Sequence, residues 1–214
     1  MNRHLTRVAT AAIVAMLLGT AVFAGIANAR SDLSRLTAAT ARFHSIVQAK
    51  NAGYGLLPAP APLHECISSF NGTGAMGFHY INGGLLDANL DPTRPEALVY
   101  EPDKHGKLNL VALEFVTFKD AWDAAHPGVW PSLFGEDFMF TPSPNRYDIP
   151  AFYSLHVWLW KSNPAGLFMP FNPNASCDGA TAAGGSSTAA LAAAAQLAAA
   201  RGVKFDCEVR RQVA

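Results

Sequence analysis

The stretch Phe152 to Lys161 (FYSLHVWLWK) constrains this chain more than any other. It is aromatic and β-branched, short enough for one strand, and apolar at both odd and even positions. A strand that is apolar on both faces needs cover on both, which places it at the centre of a sheet. One imidazole, His156, lies in its middle, and a buried imidazole needs polar partners in the same interior.

The candidates for those partners lie in two other apolar strands. Met76 to Asn82 (MGFHYIN) carries His79, and Leu108 to Phe118 carries Glu114. Strand alternation puts Glu114 on one face with Leu110, Ala112 and Val116, and His156 with Ser154, Trp158 and Trp160. A buried, uncompensated carboxylate costs several kcal/mol, so Glu114 must be paired or protonated. We expect Glu114 to pair with His156 or His79 across the sheet, with Tyr80, Tyr100 and Trp158 around them. Glu101, at a strand end beside a turn, is expected to be exposed.

Such a set has three readings. It can be a satisfied structural pair that fixes register, the polar end of a ligand pocket, or an acid/base or metal site built from two imidazoles and a carboxylate. No compact metal spacing, Gly-flanked serine nucleophile or phosphate loop is present, so no cofactor is implied and no residue is assigned as catalytic. This absence favours a non-catalytic binding or structural module, with a small-ligand pocket between the sheet and the 119–149 loop. The alternative is a small enzyme or metal-binding protein that uses His79, Glu114 and His156. Trp122, Trp130, Phe134, Phe138, Phe140, Trp158 and Trp160 read as core and cover first, and as a small-molecule or glycan cleft second.

The ends of the chain bear on location. Arg3 and Arg7 precede an uncharged apolar run from Val8 to Ile26, and Ala27-Asn28-Ala29 is a small-x-small cleavage site, so 1–29 reads as an export signal. An uncleaved anchor is the alternative, because the run is nearly long enough to span a bilayer. Cleavage leaves about 185 residues, enough for one domain, here 30–177, with no further membrane span. The exported product belongs in the periplasm or outside the cell. Formal net charge is zero and no basic cluster with interleaved aromatics occurs, which excludes a nucleic-acid-binding reading. In an oxidising compartment two of Cys66, Cys177 and Cys207 should pair. Cys66–Cys177 is preferred because it brackets the apolar core, and closing so long a loop is worth up to roughly 4–5 kcal/mol. Cys177–Cys207 is the second choice.

Residues from Asp32 to about Tyr54 read as an amphipathic helix with Leu33, Leu36, Phe43, Ile46 and Val47 on one stripe. Pro58 to Pro62 follows as a stiff connector. Ala97–Glu101 and Leu108–Phe118 flank a Pro-Asp-Lys-His-Gly-Lys turn and form the clearest hairpin. The segment 119–149 has no clean period and reads as an ordered loop, with room for a helical turn, laid over the sheet as a lid. Beyond Cys177, Ala and Gly dominate, and 178–214 reads as a low-complexity tail. Helix first and meander after it predict an α+β fold: an N-terminal helix on a curved antiparallel sheet of four or five strands. A cystatin- or NTF2-like roll is the analogy, and a β-sandwich or small barrel with a flanking helix is the alternative.

Several of these stretches also resemble a group of small exported bacterial proteins. The resemblance is carried by Ala75 to Asn82, Leu90-Asp91-Pro92 with Pro95-Glu96-Ala97-Leu98, and Gly106-Lys107-Leu108 with Val111 to Phe115. Leu133-Phe134-Gly135, Leu155 to Trp160, Asn163-Pro164, Gly166, and Asn172-Pro173 to Ser176-Cys177 extend it. It runs from the first helix to Cys177 and implies export and a shared fold. It carries no activity.

Overall fold

Leu108–Phe118, the longest strand (β4), sits inside a six-stranded antiparallel sheet in the computed structural model, which describes residues 28–57 and 62–181. The other members are β1 (Ile67–Ser68), β2 (Ala75–Ile81), β3 (Ala97–Pro102), β7 (Met139–Thr141) and β8 (Phe152–Val157), in the order β1-β2-β3-β4-β8-β7. The sheet curls into a half-barrel with helices on one side, so the fold is α+β on a curved sheet. Two short edge strands, β1 and β7, raise the count above the expected four or five. The aromatic stretch ends as a strand at Val157 and lies second from one edge, not at the centre. Its two apolar faces are nevertheless both covered, as its composition requires.

Period-two alternation sorts the side chains. Phe78, Tyr80, Leu98, Tyr100, Leu113, Phe115, Tyr153, Leu155 and Val157 face the helices and build the main core with Leu36, Phe43, Ala49 and Tyr54. The concave face carries His79, Ala97, Val99, Ala112, Glu114, Ser154 and His156.

Two bulges bend the sheet. Pairing of Ile67 with Gly77 and Ser68 with Ala75 leaves Met76 as an extra residue in β2. Pairing of Val99 with Ala112 and Tyr100 with Leu110 leaves Val111 extra in β4. A bulge increases local twist and bends its strand. Gly77 adopts φ 120°, and a Cβ there would lie 2.6 Å from the Tyr100 carbonyl oxygen, so only glycine fits. The β4 bulge also moves Leu110 to the helix side, which corrects its expected place on the Glu114 face.

The N-terminal helix is interrupted. An α-helix (α1) occupies 28–40, a 3-10 turn spans Ala41–His44, and a second helix (α2) covers Ile46–Asn51. Ser45 is extended (φ −89°, ψ 110°). The break exposes the Phe43 carbonyl, which accepts the buried Tyr100 hydroxyl at 2.6 Å. Thr37 and Thr40 hydroxyls bond back to the Leu33 and Leu36 carbonyls, a pattern that bends helices.

Segment 119–149 is more regular than expected. It begins with a helix (α3, Lys119–Ala125), continues through the small hairpin β5 (Ser132–Leu133) and β6 (Glu136–Asp137), and pairs with β8 through β7. Trp122, Phe134 and Phe138 pack on the helix-side core, while Trp130 and Phe140 lie against Tyr153.

Cys66 and Cys177 form a disulfide across 111 residues. Cys207, most of the expected signal and the alanine-rich segment lie outside the described residues. The first residues beyond Cys177 are docked, since Gly179 packs so close to the Asp103 carbonyl that any Cβ would overlap it. Glu101 is not exposed. It holds Lys161 at 2.6 and 2.9 Å and accepts the Ser176 amide at 2.9 Å, anchoring the segment that leads to Cys177. No helix among the described residues is long and apolar enough to cross a membrane.

Candidate functional site

On the concave face, β4 sets Glu114 directly beside His156 of β8 and Ala97 of β3. Ala97, Val99 and Ala112 fill the ground between β2 and β8 with small side chains. His79 can therefore reach over them. Its Nε2 lies 3.3 Å from Glu114 Oε2 and 3.4 Å from His156 Nε2, while His156 Nδ1 lies 3.5 Å from Glu114 Oε1. All three residues are buried.

These groups line a cavity of about 250 Å³. Its walls are apolar: Leu63, Ile67, Met76, Tyr147, Ile149 and Phe171 are prominent among them. Part of the cover comes from the 119–149 segment through Met139, Thr141, Tyr147 and Ile149, and part from Leu57, Leu63, Pro170 and Phe171.

Sequence reasoning did not pick out Glu96, whose carboxyl also lines the cavity and accepts the Val116 amide at 2.9 Å. It precedes β3, so strand alternation gives no signal for it. Its place between Pro95 and the apolar run Ala97 to Tyr100 was the only hint.

Burial dominates the electrostatics. It lowers His79 to about 4, with Glu114 opposing the shift, and lowers His156 to about 3. Both imidazoles are neutral at physiological pH. The same desolvation raises the Glu114 carboxyl above its ordinary value, against the influence of His79 and the Ser154 hydroxyl. Glu96 is pushed up to about 8, chiefly by burial, and Tyr147 to about 12 by burial and the Glu114 charge. His79 Nδ1 is buried without a hydrogen-bond partner; the Gly77 carbonyl lies near the ring, outside bonding geometry.

Of the residues expected around the cluster, His79, Glu114 and His156 come together. Tyr80 and Tyr100 do not. Each follows a concave-face residue by one position, so they point to the helix side, where their rings meet edge to face at 5.1 Å. Trp158 stays near the concave face, but its indole packs with Ala75, Val99, Ala112 and Ala175 and donates to the Met169 carbonyl, outside the cavity. The wider aromatic set divides between core and surface and forms no cleft at this site. No protein-family model, curated protein or solved structure matches this chain.

Proposed function

We propose that this is an exported, non-catalytic binding module whose ligand is a small, mainly apolar molecule with one polar group. The observation that carries this reading is a cavity with mainly apolar walls whose lining includes the converged His79, Glu114 and His156. Pockets of this kind use apolar walls for affinity and a few fixed polar atoms for orientation. Neutral imidazoles offer both a donor and an acceptor, so the cluster accommodates a hydroxyl, carbonyl or carboxylic acid. Export follows from the N-terminal sequence pattern and fits the Cys66–Cys177 disulfide, which persists in oxidising compartments.

The test is binding of an apolar fluorescent probe, 1-anilinonaphthalene-8-sulfonate, to the mature, metal-free chain. The half-buried Val116 lines the cavity, and Val116→Trp fills it. Saturable binding by the wild type, lost in a Val116→Trp variant that melts at a similar temperature, supports the reading. Equal binding by both proteins removes it.

A further inference from the structure

The spacing of the three polar groups is too long for good hydrogen bonds and well suited to something else. An N–H···O bond is normally 2.7–3.2 Å, about the range in which proteins hold such pairs. Here the N···O contacts are 3.3 Å (His79 Nε2 to Glu114 Oε2) and 3.5 Å (His156 Nδ1 to Glu114 Oε1, a different pair of atoms), and the N···N contact between the two Nε2 atoms is 3.4 Å. Ligand atoms around a tetrahedral ion with bonds of about 2.1 Å stand about 3.4 Å from one another. His79 Nε2 meets both Glu114 Oε2 and His156 Nε2 at that spacing. One donor atom from each of the three residues falls within 4.8 Å of the other two.

Hydrogen-bond accounting agrees. Two neutral imidazoles face each other nitrogen to nitrogen, and a further ring nitrogen, His79 Nδ1, is buried with no partner. A cation at the centre would take the Nε2 lone pair of His79 and leave Nδ1 as the N–H donor beside the Gly77 carbonyl. A backbone carbonyl is a usual outer partner of a metal-bound histidine, and here it lies near the ring without being bonded to it. The charge of the cavity fits as well. Glu114 supplies a carboxyl to the lining, and among the described residues no Lys or Arg does.

We propose that His79, His156 and Glu114 bind one divalent first-row transition-metal ion, with zinc as the natural probe, and leave a coordination position open to the cavity. The proposal rests on the cavity being the binding site argued above, and makes the metal the anchor for the ligand's polar group. Two imidazoles and one carboxylate suit zinc, cobalt, nickel and iron, and disfavour magnesium and calcium, which prefer all-oxygen sets.

The test uses the untagged mature chain, stripped with a chelator and titrated calorimetrically with zinc chloride. We expect one zinc per chain, a raised melting temperature, and no comparable response to magnesium. His79→Ala, His156→Ala and Glu114→Gln should each weaken binding by about 100-fold or more, since even outer partners of metal ligands matter by about 10–100-fold. Should those variants fail to fold, the cobalt(II)-loaded wild type decides: strong visible absorption from a four-coordinate site supports the proposal. A pale six-coordinate spectrum overturns it, as does absence of zinc binding or undiminished binding in the folded variants. The anilinonaphthalene probe, measured on metal-free protein, separates the two readings. Probe binding in a protein that fails to bind zinc sinks the metal site alone; zinc binding in a protein that fails to bind the probe sinks the apolar pocket alone.

Discussion

His79 Nε2 stands 3.4 Å from His156 Nε2, although their strands, β2 and β8, are separated by β3 and β4. In a flat sheet three strand spacings amount to about 14 Å. The two rings meet because the sheet is curled and the side chains between them are Ala97, Val99 and Ala112. The site is thus a product of curvature, and curvature depends on the two bulges.

Gly77 is where that dependence can be tested. Gly77→Ala places a Cβ against the Tyr100 carbonyl in a conformation unfavourable to any L side chain. We expect a loss of about 1–3 kcal/mol in urea unfolding, together with weaker zinc binding. A loss below about 0.5 kcal/mol, the usual scatter of surface substitutions, would show that the bulge does not need glycine.

Glu114→Gln tests the carboxylate directly. An amide keeps the shape but carries no negative charge and turns one carboxylate oxygen beside the imidazoles into an N–H donor. The metal-free variant should lose about 1–3 kcal/mol, read as a lower melting temperature at pH 6.5. An unchanged melt would mean that Glu114 is not part of a buried pair.

The pH dependence of stability has two limbs of opposite sign. His79 and His156 have folded pKa values near 4 and 3, below their ordinary 6.5, so the unfolded chain binds more protons below pH 6.5 and stability falls as pH drops. Glu96, at about 8 instead of 4.5, is protonated only in the folded state between those values, so its contribution is lost as pH rises from 4.5 to 8. Glu114 shifts the same way as Glu96. Below 4.5 the histidines act unopposed, and above 6.5 the carboxyls do. Between 4.5 and 6.5 the two pairs oppose each other, so metal-free protein should be most stable within that window. Glu96→Gln should flatten the alkaline limb and leave the acid limb in place; a variant with an unaltered alkaline limb would exclude Glu96 as its source.

Peptide mapping without reductant should recover a linked Cys66–Cys177 peptide. Replacing both cysteines with serine should cost about 2–5 kcal/mol. A Cys177–Cys207 peptide would contradict the pairing in the structure.

Much of this was legible in the chain because it depends on local pattern. The β3–β4 hairpin follows from alternating apolar residues and the Asp103 turn, whose carboxylate accepts the His105 and Lys107 amides. His79, Glu114 and His156 stood out because ionisable residues in apolar strands need partners. What escaped the sequence was set by distant contacts. The helix break at Ser45 answers the Tyr100 hydroxyl, 57 residues away from Phe43. Glu101 turned inward because Lys161 and the Ser176 amide meet it there. Tyr80 lies away from His79 for a simpler reason: strand alternation sends sequence neighbours to opposite faces.

The imidazole nitrogen NMR spectrum of isotope-labelled mature protein tests the central claim most directly. At pH 6, His79 and His156 should both be neutral, and one equivalent of zinc should shift the nitrogen resonances of both together while exposed His105 stays put. Two histidines that titrate near 6.5 and ignore zinc would contradict a buried, converged, metal-binding cluster.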